Sequence, residues 1–165
     1  MSLERDISDS DIEVFTSIYP LANLNMLRQI EHAMLAYHER GAFFKALKNM
    51  VVVDKMLFVW LGIVANEDII PRIADFCLQI VGAEWAFVTG VHDKKVSCSV
   101  RNVGYVKHAG ELVQNVFGEL GSAGGHRSMA KAVIPLTVIK KHFKTKRVSD
   151  LGNIIMQCII SSVNK

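Results

Sequence analysis

His126 and Arg127 follow directly on Gly124-Gly125 in the stretch GSAGGHRSMAKAVIPL, residues 121–136. Gly121, Gly124 and Gly125 give up too much backbone entropy for this stretch to be a helix. Consecutive glycines can instead turn their N–H groups toward one point, a nest suited to phosphate oxygens. An imidazole and a guanidinium at the next two positions could add hydrogen bonds and charge. The alternative is a helix C-cap and tight turn, which Gly121 alone would satisfy. A turn does not need two further glycines and a histidine. The stretch is neither a Walker loop, which ends in Gly-Lys-Ser/Thr, nor a dinucleotide fingerprint, which opens a helix after a strand. Gly124, Gly125, His126 and Arg127 are therefore the candidate ligand contacts.

Arg101 closes the run VSCSVR. From a strand end an arginine can reach toward the glycines and grip a phosphate bidentately; a solvated edge arginine fits the spacing equally well. His126 and Arg101 are expected to bind ligand rather than to support the fold. The remaining histidines, His32, His38, His92, His108 and His142, form no pair of the HExxH type and read as surface or cap residues. Asp54, Asp68, Asp75 and Asp93 are isolated, while Asp11 and Asp150 read as helix caps. No metal is expected in this chain, which offers no visible means of activating water. Cys77, Cys98 and Cys158 sit among apolar residues without CxxC spacing, as buried reduced thiols of a cytoplasmic protein would. The one basic cluster is Lys140-Lys141-His142-Phe143-Lys144-Thr145-Lys146-Arg147. An aromatic among five cations could stack on a base, although such runs more often are solvated links between a strand and a helix.

These residues need elements to position them. Half of the 165 residues are hydrophobic and 21% are charged, which excludes disorder, and the length suits one ordinary domain or one domain with an appendage. A net charge of +3 tolerates a phosphate ligand without demanding one. No apolar run reaches ~18 residues, so no membrane span is expected, and Met1-Ser2-Leu3 has neither the basic nor the apolar region of a secretory signal. Helices are expected from Ser10 or Asp11 to Pro20, then from Asn23 or Asn25 through Leu27, Ile30, Met34 and Leu35. Gly41 marks a break before a short helix over Phe43 to Met50. The continuous apolar run Met56 to Ala65 predicts an interior strand. A helix capped by Asn66 or Asp68, with Pro71 in its first turn, runs to a stop at Gly82. EWAFVTGV and KVSCSVR flank a turn at His92-Asp93-Lys94. A helix bearing Leu112, Val113, Val116, Phe117 and Leu120 ends at Gly121, a strand covers Ala130 to Leu136, and a last amphipathic helix covers residues 150–163. The expected class is α/β: a mixed β-sheet with flanking helices, preceded by a helical lead-in, with the glycine loop at the carboxyl end of the sheet.

GSAGGHRSMAKAVIP resembles the glycine-rich signature of the C-terminal DHH-associated domain of DHH family phosphoesterases, whose usual form is a GGGH core followed by small residues and a strand. VSCSVR, about twenty residues upstream, resembles that domain's arginine-ended strand, and the likeness extends from about Met56 to Leu136. Ser122 and Ala123 interrupt the glycines, and Met129-Ala130-Lys131 replace the family's two small residues and glycine. The resemblance implies a helical connector over residues 1–50, a DHH-associated domain over 51–148 and a C-terminal helix over 149–165. The lead-in is similar to the connector of RecJ-like and oligoribonuclease-type members. By the same resemblance, Gly124, Gly125 and His126 face a substrate phosphate and Arg101 contacts it from the sheet. The Asp-His-His motif that binds two manganese ions in such enzymes is absent, so the chain looks like the C-terminal half of a phosphoesterase, inactive alone. Its expected partners are a DHH domain in cis and a phosphate-bearing nucleotide or short oligonucleotide, with a homodimer compatible. A non-catalytic nucleic-acid-binding module and a self-association domain remain the alternatives.

Overall fold

The computed structural model describes residues 8–26, 37–103 and 107–163, and the chain folds as two compact units, Met1–His38 and Glu39–Lys165. In the first, helix α1 (Asp9–Ile18) starts at a capping box. The Asp11 N–H donates to Ser8 Oγ and the Ser8 N–H to the Asp11 carboxylate. The cap is thus Ser8, upstream of Ser10 and Asp11. Tyr19–Leu21 form a single 3₁₀ turn at Pro20. The Met26 N–H then donates to Asn23 Oδ1 at 3.1 Å, as expected of a helix start there. The apolar residues expected along that helix, Leu27 to Leu35, lie outside the described residues.

The second unit opens with α2 (Arg40–Asn49), which contains Gly41 in its first turn, so that glycine marks no break. Phe43 and Ala46 bury its inner face. Strand β1 (Val51–Val53), unforeseen in the sequence, folds back on β2 (Met56–Ile63) through a turn in which Asp54 has φ +53°. Helix α3 (Ile69–Cys77) stops short of Gly82. β3 (Trp85–His92) and β4 (Lys95–Asn102) form the expected hairpin, with Asp93 and Lys94 at φ +45° and +58°. Two consecutive positive φ values are those of a type I′ turn, which matches the strands' twist. Then come α4 (Ala109–Phe117), β5 (Ser122–Gly125), β6 (Met129–Pro135), α5 (Leu136–His142) and α6 (Leu151–Val163).

The six strands form one mixed sheet in the order β1-β2-β3-β4-β6-β5, with β2 and β3 parallel and the other neighbours antiparallel. Strand β4 shows the alternation that separates its two faces. Val96, Cys98 and Val100 join the core under α4, α5 and α6, which also takes Phe58, Phe87, Ala130, Ala132 and Ile134. The opposite core joins α2 and α3 to Leu57, Val59, Leu61, Ala86 and Val88. The result is a helix–sheet–helix sandwich, as the α/β reading expected.

Three expectations fail in detail. The glycine stretch is not a nest between a helix and a strand: it is edge strand β5, paired with β6 from Ser122↔Val133 to Gly125↔Ala130. Nor is it at the carboxyl end of the parallel strands. Arg101 pairs with Ala86 near the start of β3 and with Met129 at the start of β6, so the β5–β6 turn lies at the amino ends of β2 and β3. The basic run is not merely a link either, since Lys140, Lys141 and His142 close helix α5.

Candidate functional site

The β5–β6 turn is fixed from both sides by backbone hydrogen bonds. Across its mouth, the His126 N–H donates to Met129 O at 2.7 Å. From α4, the Ala109 N–H donates to Arg127 O at 2.9 Å and the Gly110 N–H to His126 O at 3.0 Å. Asn102, at the end of β4, adds its Nδ2 to Arg127 O at 3.4 Å, and the Ser128 carbonyl accepts from the Asn102 N–H. The third donor of the helix start, Glu111 N–H, goes to Nδ1 of His108, the N-cap. The α4 N-terminus is therefore spent on holding the turn and offers no free N–H array to an anion.

This arrangement requires glycine at two places. A Cβ on Gly110 would stand 2.3 Å from Gly125 O, and one on Gly125 would stand 2.3 Å from Met129 O. The glycines thus let helix, edge strand and turn approach backbone to backbone. While the His126 N–H and the carbonyls of His126, Arg127 and Ser128 are committed in this way, the side chains of His126 and Arg127 remain exposed.

The predicted site residues do not all share one face. Gly124 and Gly125 line a groove with His108, Glu111, Gln114 and Asn115 of the α4 side. Arg127 lines the adjoining depression with Lys107, Glu111, Asn115 and Ser162. Arg101 stands at the same end of the sheet but on the α3 face. There its Nε donates to Asp75 Oδ1 at 2.5 Å and its Nη2 to Asp75 Oδ2 at 3.4 Å, while Nη1 donates to Ser99 Oγ and Val100 O. With its side chain only 14% exposed and paired to Asp75, Arg101 is held against the sheet rather than free at its edge.

Lys131, which stands where the resemblance expected glycine, is held on the α3 face by Glu67 at 2.6 Å, and Glu67 also accepts from Ser97 Oγ at 2.9 Å. The ammonium and the hydroxyl keep the Glu67 carboxyl below its ordinary range despite partial burial. Burial pushes the Cys98 thiol up to about 12 and that of Cys77 to about 11, so neither offers a thiolate nucleophile near neutral pH. Among the described residues, no three His, Cys, Asp or Glu side chains group as metal ligands, and the residues present do not fit a manganese pair. No helix among the described residues is long and apolar enough to cross a membrane.

Residues 51–151 match the DHHA1 domain family. The chain belongs to that family. The DHHA1 domain is the DHH-associated domain of DHH family phosphoesterases, which bears out the resemblance carried by the glycine signature and the arginine-ended strand. The chain is 28% identical over 138 residues to an uncharacterized protein of Methanocaldococcus jannaschii, covering 83% of this chain and 28% of that one. In fold, 93% of the chain superposes on 44% of an exopolyphosphatase-related protein from Bacteroides fragilis, at 10% identity and a TM-score of 0.64. A pGpG-specific phosphodiesterase from Vibrio cholerae matches 94% of this chain and 52% of its own at 13% identity, with a TM-score of 0.47. This DHHA1 chain thus spans 28% of the length of the curated relative it matches.

The sequence did not single out Asp75, Gly110, Glu67 or Lys107. Gly110 carried a readable signal: in His108-Ala-Gly-Glu111 a cap residue stands three before an acid, with a glycine inside the first helical turn. Asp75 had none, because its partner lies 26 residues away.

Proposed function

We propose that this DHHA1 domain is the substrate-binding part of a manganese-dependent phosphoesterase acting on short oligonucleotides or nucleotide phosphates. The manganese ions and the water-activating residues belong to a DHH domain elsewhere in a longer protein, which the reading places in the cytoplasm. This chain's contribution is to bind and orient. The β5–β6 turn holds its backbone rigid and presents His126 and Arg127 to the phosphate. The edge strand beside it, bare of side chains at Gly124 and Gly125, lets a sugar-phosphate backbone come close. Arg101 reaches the same end of the sheet from the other face, and to bind phosphate it must exchange at least part of its Asp75 contact.

One observation carries this reading. The turn's backbone is anchored by α4 and β4 while its imidazole and guanidinium stay exposed. That is preorganisation that leaves both side chains available to a ligand. The test is binding of a mononucleotide to His126→Ala and Arg127→Ala. Each should weaken binding by about 1.5–3 kcal/mol, the range for hydrogen bonds to charged groups. Exposed positions should leave stability within about 0.5 kcal/mol of the parent. Unchanged affinity in both variants would defeat the proposal.

A further inference from the structure

The basic segment at the end of α5 lies away from the turn. Strand β6 separates the two: Met129 is at the turn end, and Pro135 pairs with Lys95 at the other, where the Leu136 N–H donates to Lys94 O. Seven residues of strand put roughly 20 Å between the turn and the start of α5.

Residues 140–147 contain five cations and no acid, whereas the whole chain carries only +3. The rest of the molecule is therefore net −2, and its entire positive excess sits in this segment. Among the described residues, none of Lys140, Lys141, Lys144, Lys146 and Arg147 meets a carboxylate in an ion pair. Lys140 and Lys141 complement the carbonyl end of α5, whereas Lys144, Lys146 and Arg147 lie beyond its last helical residue, His142.

Backbone conformation supplies a second, independent observation. The Thr145 N–H donates to Lys140 O at 3.1 Å and the Lys144 N–H to Lys141 O at 3.3 Å. That is a Schellman ending, with Lys144 in the left-handed position at φ +50°. Glycine serves that position without steric penalty, and an L-residue is strained there. Two backbone hydrogen bonds thus fix the chain that carries the Lys144 ammonium. Phe143 is no stacking platform: it packs on the core beneath α5, edge-on to His142 at 4.7 Å. Recognition here would be of phosphates, not bases.

We infer that this segment is a second, sequence-independent contact for the phosphate backbone of single-stranded nucleic acid, used by strands too long to be held at the β5–β6 turn alone. Ile139, Leu136 and Phe143 are turned into the core, which leaves the segment with little apolar surface to enter a lipid bilayer.

Binding of fluorescein-labelled dinucleotide and 12-nucleotide oligouridylate to the full chain tests the inference across a salt series. Five engaged cations would give the 12-mer a slope of log K against log salt of about −3.5; removing three should leave about −1.4. The variant is Lys140→Gln/Lys141→Gln/Lys144→Gly, and it should leave dinucleotide binding unchanged. Lys144→Gly alone should raise the melting temperature, by relieving the backbone, while weakening the 12-mer several-fold. The inference is overturned if the triple variant keeps the parent's slope, if Lys144→Gly gains stability with no loss of 12-mer affinity, or if phosphatidylserine vesicles bind and the 12-mer does not. Failure of the turn as a nucleotide site reads out separately, as indifference of the dinucleotide to His126→Ala.

Discussion

Gly110→Ala tests the close seating of α4 on the glycine strand. The added methyl would lie 2.3 Å from Gly125 O and 2.7 Å from Gly125 C, both backbone atoms. Optimal carbon contacts lie at about 3.5–4.0 Å, so helix and strand must separate by about an ångström, and no rotamer change can absorb it. Overpacking of this kind costs about 1–3 kcal/mol, and a backbone collision belongs near the upper figure. Alanine's better helix propensity returns about 0.5–1 kcal/mol. The expected net loss is about 2 kcal/mol, or a fall of about 4–8 °C in melting temperature for a chain of this size. The assay is thermal unfolding by circular dichroism, with Gly41→Ala as the control. Gly41 also lies in a first helical turn, but nothing stands within 4 Å of its would-be Cβ, so that variant should gain up to about 1 kcal/mol. If Gly110→Ala melts at or above the parent temperature while Gly41→Ala behaves as expected, the helix does not seat on β5 as described.

Arg101→Ala should lower stability by about 1 kcal/mol in urea unfolding; the loss stays modest because Asp75, 58% exposed, regains water. No loss would mean that the Asp75 pair is idle. For Glu67 the folded carboxyl titrates below its ordinary value of 4.5, chiefly because of Lys131. Its contribution is therefore complete above that value and lost as the pH falls through the lower, folded one. Glu67→Gln should accordingly differ from the parent at pH 7, and the difference should shrink on acidification below pH 4.5; a pH-independent difference would contradict the assignment. Incubated with manganese and bis(p-nitrophenyl) phosphate, the chain should show no metal-dependent turnover, and turnover that co-purifies with it would refute the division of labour between domains.

The sheet was legible where periodicity is strong. The alternation of Val96, Cys98 and Val100 against Ser97, Ser99 and Arg101 is a strand pattern that burial enforces. The unbroken run from Met56 suits a strand covered on both faces. Strand β5 was not legible, because glycine is depleted in strands; only the approach of Gly110 from α4, a tertiary fact, makes Gly125 fitting there. Helix α5 was hidden for a related reason: Leu136-Thr-Val-Ile reads as a continuation of β6, and Pro135 turns the chain at the helix start. In the candidate site, His126 and Arg127 could be chosen from residue type and spacing alone. The engagement of Arg101 by Asp75 could not, since the topology that brings α3 over β4 is needed to pair them.

The proposed function requires that this DHHA1 domain meet a nucleotide phosphate at the β5–β6 turn. Titration of ¹⁵N-labelled protein with adenosine monophosphate, followed by amide shifts, tests it most directly. Shifts are expected at Gly124, Gly125, His126 and Arg127, with Ala109 and Gly110 following because their N–H groups donate to the turn. Shifts confined to Lys140–Arg147, or none at saturating nucleotide, would contradict it.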